Sequence, residues 1–348
     1  MTPSLRVLSP GLLTSVQDLG RPGHAHLGIP AGGALDPVAL RAANALAGNP
    51  PDAGALEVVH LGPTLAVEAP SVRMSFAGAE ASIEILAGLG REPSAAVETM
   101  RSVRLRQGNV LRIGALSRGA VLYIAVEGGF AIEPVLGSLS TYVRGGLGGW
   151  QGRALMQGDR LPLCREAASV REDACLTGID LSVPRRLRTI AGPQVDRFTP
   201  DEVAAFFHGE YVVAASDRMA MRLRGRPVAH AAGHDVISEG IAPGSIQISG
   251  SGEPIVLLAD RQTTGGYPKI ATVISADLPA LRRLPIGAKI RFERVSLAAA
   301  AELRRQLLAD VDAISSRMAP IAEGGERDAS LLQANLISGV FDACTSIM

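Results

Sequence analysis

Hydrophobic positions along the chain fall mostly into short runs that suit strands. The 39 glycines and 22 prolines punctuate these runs throughout, as expected of a chain built from many short strands and turns. Val121–Val126 and Pro254–Ala259 are unbroken apolar runs of strand length, which predicts strands buried on both faces. Met219–Arg224 alternates instead. That spacing turns Met219, Met221 and Leu223 inward and points Arg222 and Arg224 outward. Ser245–Ser249 and Pro254–Leu258 flank Gly250–Glu253 and read as a hairpin around a Gly-Ser-Gly turn.

Helical signals are fewer and sharper. Asp36 precedes Pro37, and Gly48 follows Ala47. An acidic N-cap, proline in the first turn and glycine after the last predict a helix over 37–47. Thr199-Pro200-Asp201-Glu202 is a capping box opening a second short helix through His208. Ser296–Met318 carries Leu297, Leu303, Leu307 and Val311 at amphipathic spacing and predicts a long C-terminal helix.

The chain therefore reads as mainly β, with a few short helices and one C-terminal helix. Its 348 residues suffice for one large or two ordinary domains. The weakly patterned stretch Arg165–Pro184 is the expected boundary. It divides the chain into residues 1–165, 185–295, and a helix and tail over 296–348. Within that tail, Ala319–Asp328 reads as a linker. The apolar Ser330–Ala343 folds back on the body or docks on a partner.

Composition narrows the classes. Hydrophobic residues make up 47%, enough for a sizeable core, and basic and acidic residues balance at 34 each. That balance points to neither a nucleic-acid nor a membrane-surface partner. Aromatics at 3% are too few for base-stacking platforms. Cys164, Cys175 and Cys344 lack metal-ligand spacing and suit reduced cytoplasmic thiols. The N-terminus has no secretory pattern, so a cytoplasmic location is expected. Six histidines form no convincing metal set, and there is no P-loop or Gly-x-Ser-x-Gly elbow.

The chemistry concentrates in Asp260–Pro268, where a buried strand ends in an acid, an amide, two hydroxyls and two glycines. Asp260 is the first candidate acid or base. Gln262, Thr263 and Thr264 offer hydrogen bonds to a small amide, and Gly265-Gly266 allow close approach. Tyr267 offers a ring face and a hydroxyl, and Lys269 a compact charge. Ser15–Arg21 is a second cluster, with Gln17, Asp18 and Arg21 ahead of a turn-rich stretch that ends at Asp36. Arg21, Arg144, Arg218 and Arg222 are candidate clamps for a carboxylate or phosphate. The glycines beside Arg144 (145, 146, 148 and 149) are a weak anion-loop signal. Asp18, Asp36 and Glu57 are alternatively structural partners of these arginines.

Taken in order, Ser15–Arg21, Gly33–Asp36, Asn44, Glu57, Arg144-Gly145-Gly146, Gly192-Pro193-Gln194, Ser216–Met219, Arg222-Leu223, Gly240–Gln247 and Asp260–Pro268 carry a resemblance. They resemble the family of the C subunit of bacterial ATP-dependent 5-oxoprolinase. Its members have also been called allophanate hydrolase subunit 2, Kip antagonist protein and biotin-dependent carboxyltransferase family protein. The same module resembles the carboxyltransferase domain of urea carboxylase. The resemblance runs from about Leu5 to Phe292. It implies two cyclophilin-like β-barrel subdomains with a groove between them, and places Gln247 among the substrate-binding residues. It further implies the B and A subunits of 5-oxoprolinase as partners, a small amide or lactam substrate, and ATP used by the complex to open 5-oxo-L-proline to L-glutamate. Carboxyl transfer to urea or a related amide is the alternative. No biotin-attachment segment is present, so biotin would then arrive on another chain. A regulatory role, binding a kinase inhibitor, is a third reading that the family names carry.

Overall fold

The computed structural model describes residues 2–88 and 93–321. The apolar segment Ser330–Ala343 and most of the linker lie outside the described residues. Strands dominate, as the glycine- and proline-punctuated pattern requires. They assemble into two main sheets, each with its own core, and one small two-stranded sheet.

The second half of the chain forms a closed seven-stranded barrel. Around it run Arg186–Ala191, Lys269–Val273, Ser245–Ile248, Pro254–Leu257, Ala220–Arg224, Tyr211–Ser216 and Lys289–Arg294. The last of these pairs with the first in parallel and so leaves no free edge. The hairpin expected around Gly-Ser-Gly is present, with Gln247 opposite Ile255. The alternation holds over 221–224, where Met221 and Leu223 are buried while Arg222 and Arg224 face outward, but Met219 precedes the strand and is only half-buried. Ile246, Val256, Leu258, Ile270 and Phe292 fill the interior.

The first half forms an 11-stranded branched sheet. Two long strands, Ser71–Ala87 and Asn109–Val126, are its spine. Side chains from most of its strands meet in one core (Leu5, Val16, Leu56, Leu65, Phe76 and Leu122 among them), so the sheet curls around that core. Helix α1, Pro37–Ala47, packs on its outer face, burying Leu40, Ala43 and Leu46 against Ala77, Tyr123 and Ala125.

The helix ends follow the local rules. Asp36 caps α1 by accepting bonds from Val38 and Ala39, and Gly48 closes it at φ 74°. Thr199 caps α2, Pro200–His208, whose Phe206 stacks on Phe292 at 5.0 Å. A short turn of helix, α3, spans Leu278–Leu281. The long C-terminal helix is shorter than expected: α4 covers Leu297–Asp312. Past it a 3-10 turn buries Ile314, and Met318–Pro320 becomes a strand paired with Ala174–Leu176 of the first sheet. The chain thus ends its described course on the half where it began. Among the described residues no helix is long and apolar enough to cross a membrane.

Candidate functional site

Charged and polar residues from both halves meet at the seam between the two sheets. Arg218, in the turn after Tyr211–Ser216, is the hub. Its Nε and Nη2 donate to the two oxygens of Asp260 at 2.8 and 3.0 Å. Nη1 donates to Glu57, and Nη2 also reaches Gly33 O at 2.7 Å and Gln17 Oε1 at 3.3 Å. Burial works against the Arg218 charge, but Glu57 and Asp260 outweigh it and hold the pKa above the ordinary value. Glu57 is satisfied in turn by Tyr123 Oη at 2.6 Å and Leu35 N at 2.7 Å. Burial, followed by Glu57 and Asp36, keeps the Tyr123 phenol protonated well past its usual range.

A second ion pair crosses the seam beside the first. Arg283 Nε donates to Asp36 Oδ2 at 2.6 Å, while Asp36 Oδ1 serves as the α1 cap. Among the described residues Asp18 has no arginine partner within ion-pair distance; it accepts from Ser138 Oγ at 2.6 Å, Leu139 N at 2.6 Å and Ser140 Oγ. It therefore organises the 138–140 loop. Arg21, 1% exposed, donates to Val135 O and Ser140 O and leaves Nη1 without a partner.

Beside this buried network lies an open cleft of about 400 Å³. Arg144 reaches it from the first half, and Ser216, Asp217, Met219, Arg222, Gln247, Gln262 and Tyr267 line it from the barrel. Gln247 is 2% exposed, and among the described residues its amide nitrogen has no partner and neither has the amide oxygen of Gln262. Unpaired buried polar atoms are costly in a folded chain, so two such amides on residues that line the same cleft are candidates for ligand contact. Arg144 and Arg222 are exposed and make no ion pair among the described residues. Gly265 is where a side chain cannot go: a Cβ there would stand 2.6 Å from Ile241 Cδ1 and 3.0 Å from Gln247 Nε2. Gly149 has the same reason, with Thr141 Oγ1 only 1.8 Å from such a Cβ.

The predicted site residues thus divide. Arg144, Arg222, Gln247, Gln262 and Tyr267 share the cleft. Gln17, Arg218 and Asp260 form the buried network, Asp36 joins the same seam through Arg283, and Asp18 holds the 138–140 loop. Asp260 gives both oxygens to Arg218 and does not line the cleft. Lys269, 2% exposed, pairs with Glu239 at 3.0 Å and anchors the small two-stranded sheet formed by Glu239–Gly240 and Thr264–Gly265. Thr263 contributes a backbone carbonyl to Ile241, and Gly266 one to Val236. Of the glycines beside Arg144, the amides of Gly145, Gly146 and Gly149 bond to Tyr142, Val143 and Leu139 carbonyls.

Over residues 27–294 the sequence matches the family described as carboxyltransferase domain, subdomain A and B. The chain belongs to that family. Relatives of this chain include the 5-oxoprolinase C subunit of Escherichia coli, 36% identical over 86% of the chain and 94% of the relative. The Haemophilus influenzae protein of the same name is also 36% identical, over 84% and 91% respectively. Among solved structures, the urea amidolyase of K. lactis superposes with a TM-score of 0.79 at 26% identity. It covers 90% of this chain, which spans only 20% of that much longer protein.

Several residues of this carboxyltransferase fold escape sequence reasoning. Tyr123 sits inside an apolar run and shows no sign of its hydroxyl's role. Arg282 and Arg283 look like a solvated pair, yet are 7% and 9% exposed. Asp217, on the cleft wall, accepts from Met219 N and Ala220 N and so shapes the turn that presents Arg218. Among the described residues no cluster is suited to a metal ion.

Proposed function

We propose that this chain is the C subunit of an ATP-dependent 5-oxoprolinase and that the cleft holds 5-oxo-L-proline. The observation that carries this reading is the amide nitrogen of Gln247 and the amide oxygen of Gln262, unpaired among the described residues and belonging to residues that line the same cleft. A lactam presents its carbonyl and its N–H side by side. Gln247 donates to the former and Gln262 accepts from the latter. Arg144 and Arg222 take the substrate carboxylate. Tyr267, 40% exposed, covers the ring.

A lactam is a poor electrophile, so opening it needs activation. Phosphorylation of the carbonyl oxygen, using ATP consumed by the assembled complex, converts that oxygen into a leaving group. Arginines at the cleft stabilise charge that develops there. Asp260 positions rather than transfers: by fixing Arg218 it sets the start of the 260–267 segment that carries Gln262 and Tyr267. Homologues of the B and A subunits complete the complex, a role the shared name of the bacterial relatives supports. The likeness to urea amidolyase favours one second reading, carboxyl transfer to urea or a related amide with biotin on another chain.

The test is glutamate release from 5-oxo-L-proline by the complex of this chain with its chromosomal-neighbour subunits, with and without ATP. Release should require both ATP and this chain. Gln247→Leu and Gln262→Leu should each reduce kcat/KM about 10-fold or more, the cost of unpairing one buried hydrogen bond. Release that is unchanged in both variants, from an intact complex, would refute the assignment of the cleft.

A further inference from the structure

A second cavity lies on the seam, across the Ser216–Arg218 turn from the cleft. Its volume is about 170 Å³. The first half contributes Leu13, Leu35, Val59 and Val121 to its walls, and the second half contributes Leu284 and Ile286. Two guanidinium groups belong to the same lining, those of Arg218 and Arg282.

The two arginines differ in their commitments. Arg218 is saturated by Glu57, Asp260, Gly33 and Gln17. Arg282 is 7% exposed, forms no ion pair among the described residues, and leaves Nη1 buried without a partner. Burial and then the neighbouring Arg218 charge pull its pKa down to about 9, against the partial support of Glu57 and Asp260. An apolar cavity of roughly 150 Å³ accepts a molecule of about six carbons. A buried guanidinium beside it asks for a carboxylate, because charge-assisted hydrogen bonds are the strong ones.

We propose that this seam cavity is a second small-molecule site, taking a short aliphatic monocarboxylate whose chain packs on Leu35, Val121 and Leu284 and whose carboxylate meets Arg282. The walls are mainly apolar, with His60, Ser216 and Asp217 the polar residues beside the arginines, so an aliphatic acid fits this cavity better than the lactam assigned to the cleft. Because both halves supply wall residues, the occupant holds them together. It also sits against the turn that carries Ser216 and Asp217, which line the cleft as well. Occupancy therefore bears on the cleft through one shared turn.

The experiment is calorimetric titration of the full chain with 3-methylbutanoate, and with 3-methylbutan-1-ol as the uncharged comparator. The acid should bind saturably, and the alcohol about tenfold more weakly or worse, since a hydrogen bond to a charged group is worth about 1.5–3 kcal/mol. Arg282→Met should weaken the acid to the level of the alcohol. Ile286 lies at the mouth and is 55% exposed, so Ile286→Trp should block the cavity without disturbing the fold. It keeps the test decisive where Arg282→Met fails to fold. Absence of saturable binding at about 10 mM acid, equal binding of acid and alcohol, or binding untouched by Ile286→Trp would each overturn the proposal. So would protection of Ile286 in the assembled complex with no acid bound, which would give the cavity to an apolar side chain of another protein in the complex.

Discussion

Arg218 shows how much of this seam depends on one side chain. It is buried with two carboxylates, Glu57 and Asp260, and either acid alone would balance its charge. The second carboxylate sits within a wider set in which Arg282 and Arg21 also bear on Asp260. Removing one partner from a buried ion pair strands the other, at about 3–5 kcal/mol. Arg218→Met should therefore lower the urea unfolding free energy by about that much. Adding Glu57→Gln should recover part of the loss, because an amide strands no charge. A fully additive double variant would deny the coupling. Sequence alone offered Asp18, Asp36 and Glu57 as partners of Arg21, Arg144, Arg218 or Arg222: Glu57 does pair with Arg218, Asp36 meets Arg283 instead, and Asp18 is held by Ser138, Leu139 and Ser140. Which arginine each would meet was not legible: Asp36 and Arg283 lie 247 positions apart, and only the closed fold brings them to 2.6 Å. Asp260 was the reverse case. Its place at a strand end suggested an acid free to move a proton, whereas the turn that follows aims it at Arg218.

At the scale of elements, legibility tracks how local the deciding interactions are. The caps of α1 and α2 involve atoms within three residues, so Asp36 and Thr199 announced their helices. The reach of α4 depended on what lies beyond it. Apolar spacing continues past Asp312, but Ile314 is buried against the α1 face and Met318 pairs with Leu176, and those distant partners end the helix. Strand existence was readable from the apolar runs; strand order was not, since closure of the barrel joins Arg186–Ala191 to Lys289–Arg294 in parallel about a hundred residues apart. Asp36 lets the two kinds of contribution be separated. Asp36→Asn keeps an oxygen for Val38 and Ala39 but strands Arg283, whereas Asp36→Ala loses both. Urea denaturation should rank the wild type above Asp36→Asn and Asp36→Asn above Asp36→Ala, the last gap being about 1 kcal/mol for the cap. Equal stability of the two variants would mean that the cap contributes nothing at this position.

For the molecule as a whole, the question is what makes two separately cored sheets behave as one body. Each half buries its own hydrophobic cluster. Polar ties cross between them, Arg218 to Glu57, Gln17 and Gly33, and Arg283 to Asp36 and Asp180, beside apolar contacts such as that of Ala259 with the α1 cluster. Interfaces of this kind are weaker than a shared apolar core, and domains joined by them move or melt independently once the ties are cut. The wild-type chain should unfold in a single calorimetric transition because parting the halves breaks both charged pairs of the seam. With Arg218→Met and Arg283→Met combined, those pairs are gone and Glu57 and Asp36 are left unpaired in the closed seam. The endotherm should split in two, and the amides of Ile246, Val256 and Ile270 in the barrel should then exchange with free energies unlike those of Leu56, Phe76 and Leu122. The cleft should fail in the same variant, because Arg144 comes from one half and Gln247 and Gln262 from the other. A variant that still melted in one step, with matched exchange across both cores, would show that the halves cooperate through their apolar contacts and that the charged seam serves the site alone.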